Sequence, residues 1–313
     1  MESIPERKYF SEFGLNMSVA YRFLLQQDNL SVIDKTDITP HIYMICRRPR
    51  IGIRPESTVF TKNYVEGEFF IQKGEKKEII EFKTPNKTNR DDLKMYSDYP
   101  YTEFFVKSDA GEVVSSGKTA LLMASCGSDL WKYLNLEILY IGQSFGVGGE
   151  RSASERLKKH STLQGIYSEA IQRSPDQEIW LLLSTFQEIL LSSFDGSKSN
   201  YGTSDEEDEE HIKEILNTEV SLQQKINFTE AALIKYFQPH YNKIFKDTFP
   251  NPKHTSYSEC YDLDLNMVSV EFHTEGLGTK LYSNEIDPKI RHFCMYPLHS
   301  KEKRMYMFDT EYI

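Results

Sequence analysis

The sequence predicts a mixed α/β (α+β) chain in three stretches: β-rich, then alternating strand and helix, then β-rich again. Three observations carry this. Residues 1–117 hold short β-branched or aromatic runs between Gly, Pro, Asn and Asp, the punctuation of strands and turns. Residues 118–250 alternate strand-length apolar runs with helical patterns. Residues 251–313 return to strand-like runs. That last stretch is too short to build a good core alone, so it is expected to pack with the first, the middle being inserted between them.

Taken in order, NMSVAYRFLLQQ near the start is expected to be a helix. HIYMICRRPRIGIR, STVFTKNYV, GEFFIQKG, KEIIEFKT and TEFFVKSD are expected strands. The middle reads as a strand at about 118–125 (KTALLMAS), a CGSD turn, and a strand at about 136–142 (LEILYIG). The glycine-rich loop QSFGVGGE follows, then helices at about 151–160 and 162–173 and a strand at about 178–186 (EIWLLLSTF). An acidic insertion at about 195–220 precedes a helix at about 228–237, with Asn227 or Thr229 as N-cap and Pro239 as stop. NMVSVEFHTEG, TKLYSNEI, HFCMYPL and RMYMFDTEYI are expected strands in the last stretch.

Composition excludes several classes. The 313 residues are 39% hydrophobic and 13% aromatic, enough for a buried core and against wholesale disorder. Mean hydropathy is -0.53, and no apolar run approaches the roughly 20 residues that span a bilayer. The opening MESIPERKYF lacks a basic-then-apolar signal, so neither secretion nor membrane insertion is expected. Cys46, Cys126, Cys260 and Cys294 are widely spaced. They support neither a disulfide framework nor a cysteine-built zinc site, and a cytoplasmic location is expected.

The net charge of -10 at first argues against a nucleic-acid partner, but its location changes that. Eight acids from Asp205 to Glu219, offset by Lys213, supply -7 of it and leave -3 for the rest. With the neighbouring Ser and Gly, residues 195–210 read as a solvated, mobile loop. It is either a solubilising insertion or a stretch that mimics or repels nucleic acid and restrains a basic site.

Three signals in the middle look chemical. Tyr140-Ile141-Gly142 ends an apolar strand, where Gly142 lets the chain turn and Tyr140 points a hydroxyl into the opening, unless it is an ordinary core tyrosine. Arg156 and His160, four apart, share a helix face beside the glycine-rich loop. A guanidinium suits a phosphate oxygen and an imidazole moves protons near neutral pH, although a solvated basic face would read the same. Glu230 is expected in the first turn of an apolar helix, as a capping carboxylate or a hard oxygen ligand for Mg²⁺. Asn242, after Pro239, is placed to fix loop geometry through its side chain.

Together these residues resemble the GIY-YIG nuclease family over about residues 118–246. Tyr140-Ile141-Gly142 matches the second half of its signature, and Arg156-x-x-x-His160 its first catalytic helix. Glu230, with Pro239 and Asn242 after its helix, matches its metal-binding glutamate and closing asparagine. The resemblance implies a core of a small three-stranded sheet flanked by helices. The first signature half, expected on residues 119–125, has no tyrosine there, and Gly165-Ile166-Tyr167 falls on a helix in the wrong place.

The implied activity is metal-dependent hydrolysis of DNA phosphodiesters, duplex or branched, with restriction or defence against foreign DNA as the expected setting. Glu230 would hold one Mg²⁺ or Mn²⁺ and Arg156 would neutralise phosphoryl charge. Tyr140, helped by His160, would take the proton from the attacking water. Lys158 and Lys159 would touch neighbouring phosphates. A homodimer is left open. Beyond the resembling core, Arg47, Arg48, Arg50 and Arg54 cluster with Tyr43 and Pro49, as a DNA-binding strand or as an edge strand kept soluble by charge.

Two rival readings remain. Without its first tyrosine, the chain is alternatively a degenerate nuclease-fold module that binds DNA or protein. Gly117-Lys118-Thr119 also ends like a phosphate-binding loop, but its first glycine position holds Glu112.

Overall fold

The computed structural model describes residues 7–144, 157, 161–194 and 201–309. The chain opens with β1 (Ser11–Leu25), a 3₁₀ turn at Gln27–Lys35, and β2 (Ile42–Pro49). Two three-stranded antiparallel sheets follow. The first holds β3 (Ile51–Phe60), β4 (Tyr64–Lys73) and β5 (Lys76–Pro85); the second holds β6 (Leu93–Tyr96), β7 (Glu103–Ser108) and β8 (Val113–Lys118). Helix α1 (Thr119–Cys126) leads to β9 (Leu136–Gln143), α2 (Ser161–Arg173) and the long β10 (Gln177–Phe194). Then come α3 (Asp205–Asn217), α4 (Leu222–Phe237) and the short α5 (Glu259–Asp262). The chain closes with β11 (Met267–His273), β12 (Leu281–Tyr282) and β13 (Arg291–Pro297).

The fold is mixed α/β around one large sheet, in the order β12-β9-β2-β10-β1-β11-β13. This sheet is seven strands wide, where a small three-stranded one was expected. It draws strands from 1–117, 118–250 and 251–313 alike, and the two small sheets occupy the connection between β2 and β9.

Alternation along the central strands sorts side chains to two faces. Ile42, Met44, Cys46, Trp180 and Leu182 join one core cluster with α4 residues such as Ala231 and Phe237. Tyr43, Ile45, Leu181 and Leu183 join another with Leu163 and Ile166 of α2.

Four local expectations are corrected. The predicted helix around residues 16–27 is mostly strand β1, paired antiparallel with β10 and parallel with β11. The first half of β1 alternates, with Phe13, Leu15, Met17 and Val19 in one core cluster, but the window from Asn16 takes in only Met17 and Val19 of that pattern. KTALLMAS is helix α1 rather than a strand, in keeping with its Ala, Leu and Met content. The acidic stretch from 205 is helix α3, started by a reciprocal capping box between Ser204 and Glu207, with first-turn acids that suit the helix dipole. Residues 304–309 of RMYMFDTEYI form no strand, and 310–313 lie outside the described residues.

Candidate active site

The site is built where β2 and β9 run side by side. Across this antiparallel ladder Tyr43 faces Gly142, Met44 faces Ile141 and Ile45 faces Tyr140. Cys46 then faces Ile138, so Leu139 is an extra residue. Such a bulge re-aims the side chains beside it, and its neighbour here is Tyr140. The Leu139 carbonyl accepts a bond from the Tyr241 N–H (3.0 Å).

Asn242 completes this edge. Its Oδ1 accepts from the Ile141 N–H (2.9 Å) and its Nδ2 donates to the Ile141 carbonyl (2.8 Å). One side-chain amide thus imitates a neighbouring strand where β12, only two residues long, no longer reaches.

Gly142 does not turn the chain, as the sequence suggested; it lies inside β9. Its role is to admit aromatic rings. A methyl group there would sit 2.6 Å from the Tyr43 Oη and 2.8 Å from Cε1 of Tyr140. The Tyr43 and Tyr140 ring centroids are 6.0 Å apart, and their side chains are hydrogen-bonded. Burial raises the Tyr140 phenol above its ordinary value, the charge of Glu230 raises it further, and the bond with Tyr43 works the other way.

Tyr43 thus brings a second phenol to Tyr140 from β2. The sequence alone marks it only as part of an arginine-bearing strand, because residues 50–135 separate β2 from β9. The triplet His41-Ile42-Tyr43 at a strand start was the available signal.

Glu230 projects from the middle of α4, whose N-cap is Ser221, so it is not a first-turn capping group. Asn227 and Thr229 are likewise inside the helix, where Thr229 Oγ1 donates back to the Lys225 carbonyl. Gln143, at the end of β9, donates from Nε2 to Glu230 Oε2 (2.7 Å) and to Asn227 Oδ1 (2.9 Å). Gln223 donates to the same Asn227 oxygen, and Asn227 anchors itself on the Ser256 carbonyl. This amide relay ties the carboxylate to β9. Burial pushes the Glu230 carboxyl up to about 7, against the bonds from Gln143.

Arg156, His160, Lys158 and Lys159 lie outside the described residues. Among the described residues no three His, Cys, Asp or Glu side chains converge as a metal cage. A desolvated carboxylate with amide donors is nevertheless a fitting single anchor for Mg²⁺ or Mn²⁺, which keep most of their coordination as water and substrate oxygens.

The arginine cluster divides. Arg48 is 1% exposed, stacks on Trp180 (4.2 Å to the ring centroid) and donates to Glu178 (2.8 Å), so it is a core residue and not a DNA contact. Arg47 makes a two-pronged pair with Glu137 (2.8 and 3.1 Å). Arg54 pairs with Glu56 and Glu68. Arg50 lines a cavity of about 350 Å³ with Gln26, Thr102, Tyr167 and Gln177. In the phosphate-loop rival, Gly117-Lys118-Thr119 is the junction of β8 and α1, and the lysine is engaged by Asp28 (2.7 Å) and Glu103 (2.5 Å). The chain matches no protein-family model, no curated protein and no solved structure.

Proposed function

We propose that this chain is a metal-dependent endonuclease of the GIY-YIG type that hydrolyses DNA phosphodiesters. One observation carries the reading: the phenols of Tyr43 and Tyr140 meet across adjacent antiparallel strands, next to a glutamate held by an amide relay. Strands β9, β2 and β10, with α2 and α4, would then be the family's three-stranded core enlarged by the rest of the sheet. Tyr43 would complete the first half of the signature from a distant part of the chain.

In this reading the Tyr140 oxygen takes a proton from the attacking water as its own phenol proton passes to His160, and Tyr43 hydrogen-bonds the Tyr140 oxygen during the transfer. Glu230 is oriented by Gln143 and anchors the ion. A divalent ion held by Glu230 would supply Lewis-acid polarisation of the phosphate and stabilisation of the leaving oxygen. Arg156 and His160 carry phosphoryl charge and the shuttled proton.

The test is nicking of supercoiled plasmid and branched DNA with Mg²⁺ or Mn²⁺. The wild-type chain is expected to cut and a folded Glu230→Ala variant to be inactive. Full activity in that variant overturns the assignment, and DNA binding without cutting supports a degenerate binding module instead.

A further inference from the structure

The two small sheets pack against each other and against α1, and between them they leave a cavity of about 250 Å³. Alternation along the strands sorts their side chains. Phe82 of β5, Leu93 and Met95 of β6, and Phe104 and Val106 of β7 turn inwards and are buried, while Lys94 and Phe105 between them are exposed. These five inward side chains line the cavity, with half-buried Val65 and Leu122 beside them. Protein interiors hold few voids larger than a water molecule. This one exceeds the apolar cavity of about 150 Å³ that accommodates benzene.

Polar groups gather where the cavity opens. Lys87, Thr88 and Ser115 line it and are exposed. Among the described residues Lys87 is the one charged group in the lining, and it pairs with no carboxylate. The loop that carries it is fixed by Asn86, which is buried. Asn86 Nδ2 donates to the Thr61 and Arg90 carbonyls (2.7 Å each), and its Oδ1 accepts from the Thr88 N–H (3.0 Å) and hydroxyl (2.7 Å). Lys87 is thus held between two anchored residues, at the edge of an apolar hollow. A largely apolar pocket with a few fixed polar groups is the usual form of a small-molecule site.

We propose that this cavity binds a small monocarboxylate with an apolar body of about eight to ten carbons. The hydrocarbon would lie among Phe82, Met95 and Phe104, and the carboxylate would meet the Lys87 ammonium and the Ser115 hydroxyl. Burial of the apolar body supplies affinity, while a charge-assisted bond selects a carboxylate over a neutral head. None of the lining residues belongs to the site of Tyr43, Tyr140 and Glu230, so binding here does not depend on the nuclease reading.

The test is isothermal titration calorimetry with sodium octanoate and, as the neutral counterpart, octan-1-ol. Saturable binding of octanoate is expected. Cys126 also lines the cavity and is half-buried, whereas Cys46, Cys260 and Cys294 are buried. Its alkylation by N-ethylmaleimide, read by mass spectrometry, should slow as octanoate fills the site. Lys87→Gln should weaken octanoate about tenfold, the size of one lost charge-assisted bond, and leave octan-1-ol unchanged. Ser115→Trp should plug the opening and weaken both. Both positions are exposed, and thermal melts check that the variants fold. Failure of octanoate to bind the wild-type chain at millimolar concentration overturns the proposal. So does equal octanoate binding by Lys87→Gln, which would make the attraction apolar alone. Octanoate binding that leaves Cys126 alkylation unchanged would put the ligand elsewhere, and also overturns it.

Discussion

The Tyr43 hydroxyl lies over Gly142, its partner across the β2–β9 ladder, so close that even a methyl group on that glycine would be 2.6 Å from the oxygen. This contact makes the two-phenol arrangement depend on a missing side chain. Gly142→Ala is expected to displace the Tyr43 ring, which is buried and cannot swing into solvent, at a cost of roughly 1–3 kcal/mol. Tyr43→Phe and Tyr140→Phe keep the rings, and should leave the melting temperature nearly unchanged while lowering nicking by about 10²-fold or more. Denaturant titration and plasmid nicking on the three variants separate the steric effect from the chemical one.

Gln143 is expected to position Glu230. Gln143→Leu removes the donor at 2.7 Å from Glu230 and one of the two donors on Asn227 Oδ1. Outer-shell partners of this kind typically govern about 10- to 100-fold in metal affinity. Electron paramagnetic resonance of free Mn²⁺ should report a loss of that order, with activity restored in part by higher metal. Unchanged Mn²⁺ binding would leave Gln143 a purely structural residue.

Asn242 does the work of a strand with a single amide. Asn242→Ala leaves both the N–H and the carbonyl of Ile141 without that partner in a buried place. About 1–3 kcal/mol of stability should be lost, with amide exchange at Ile141 accelerated by more than the global change. An unaltered exchange rate at Ile141 would show that water replaces the amide at no cost.

Arg48 and Arg50, two positions apart, should behave oppositely. Arg48→Ala strands the buried Glu178 carboxylate and uncovers Trp180, so a loss of about 3–5 kcal/mol is expected by tryptophan fluorescence. Arg50→Ala should change stability by less than about 0.5 kcal/mol. If the cavity it lines meets DNA, the salt slope of binding also falls by about one.

His292 should contribute to acid sensitivity. Burial pushes its imidazole down to about 4, below the unfolded value of about 6.5, while the ring packs on Phe237. A folded value below the unfolded one means stability that is present above pH 6.5 and is lost as pH falls towards 4. The loss is on the order of 3 kcal/mol across that window. His292→Phe keeps a ring there and cannot take up the proton, so its unfolding free energy should vary less with pH between 6.5 and 4. An unchanged slope would assign the acid sensitivity elsewhere.

Strand β9 and the helix bearing Glu230 are legible in the sequence, because each is a local apolar pattern bounded by recognisable stops: the glycine-rich SFGVGGE after the strand, Gln238 and Pro239 after the helix. Tyr140, Glu230 and Asn242 are each marked by their place at the end of, within or after these local patterns. What tertiary structure alone decided is which strand lies beside β9. Tyr43 gains its meaning only through pairing across two intervening small sheets, and a strand carries no mark of its distant partner. The same reason governs β1, whose strand partners β10 and β11 come from far along the chain, and Arg48, whose burial depends on Trp180 and Glu178 arriving from β10. Period and propensity act over a few residues, whereas pairing and burial are settled by contacts between segments far apart in the chain.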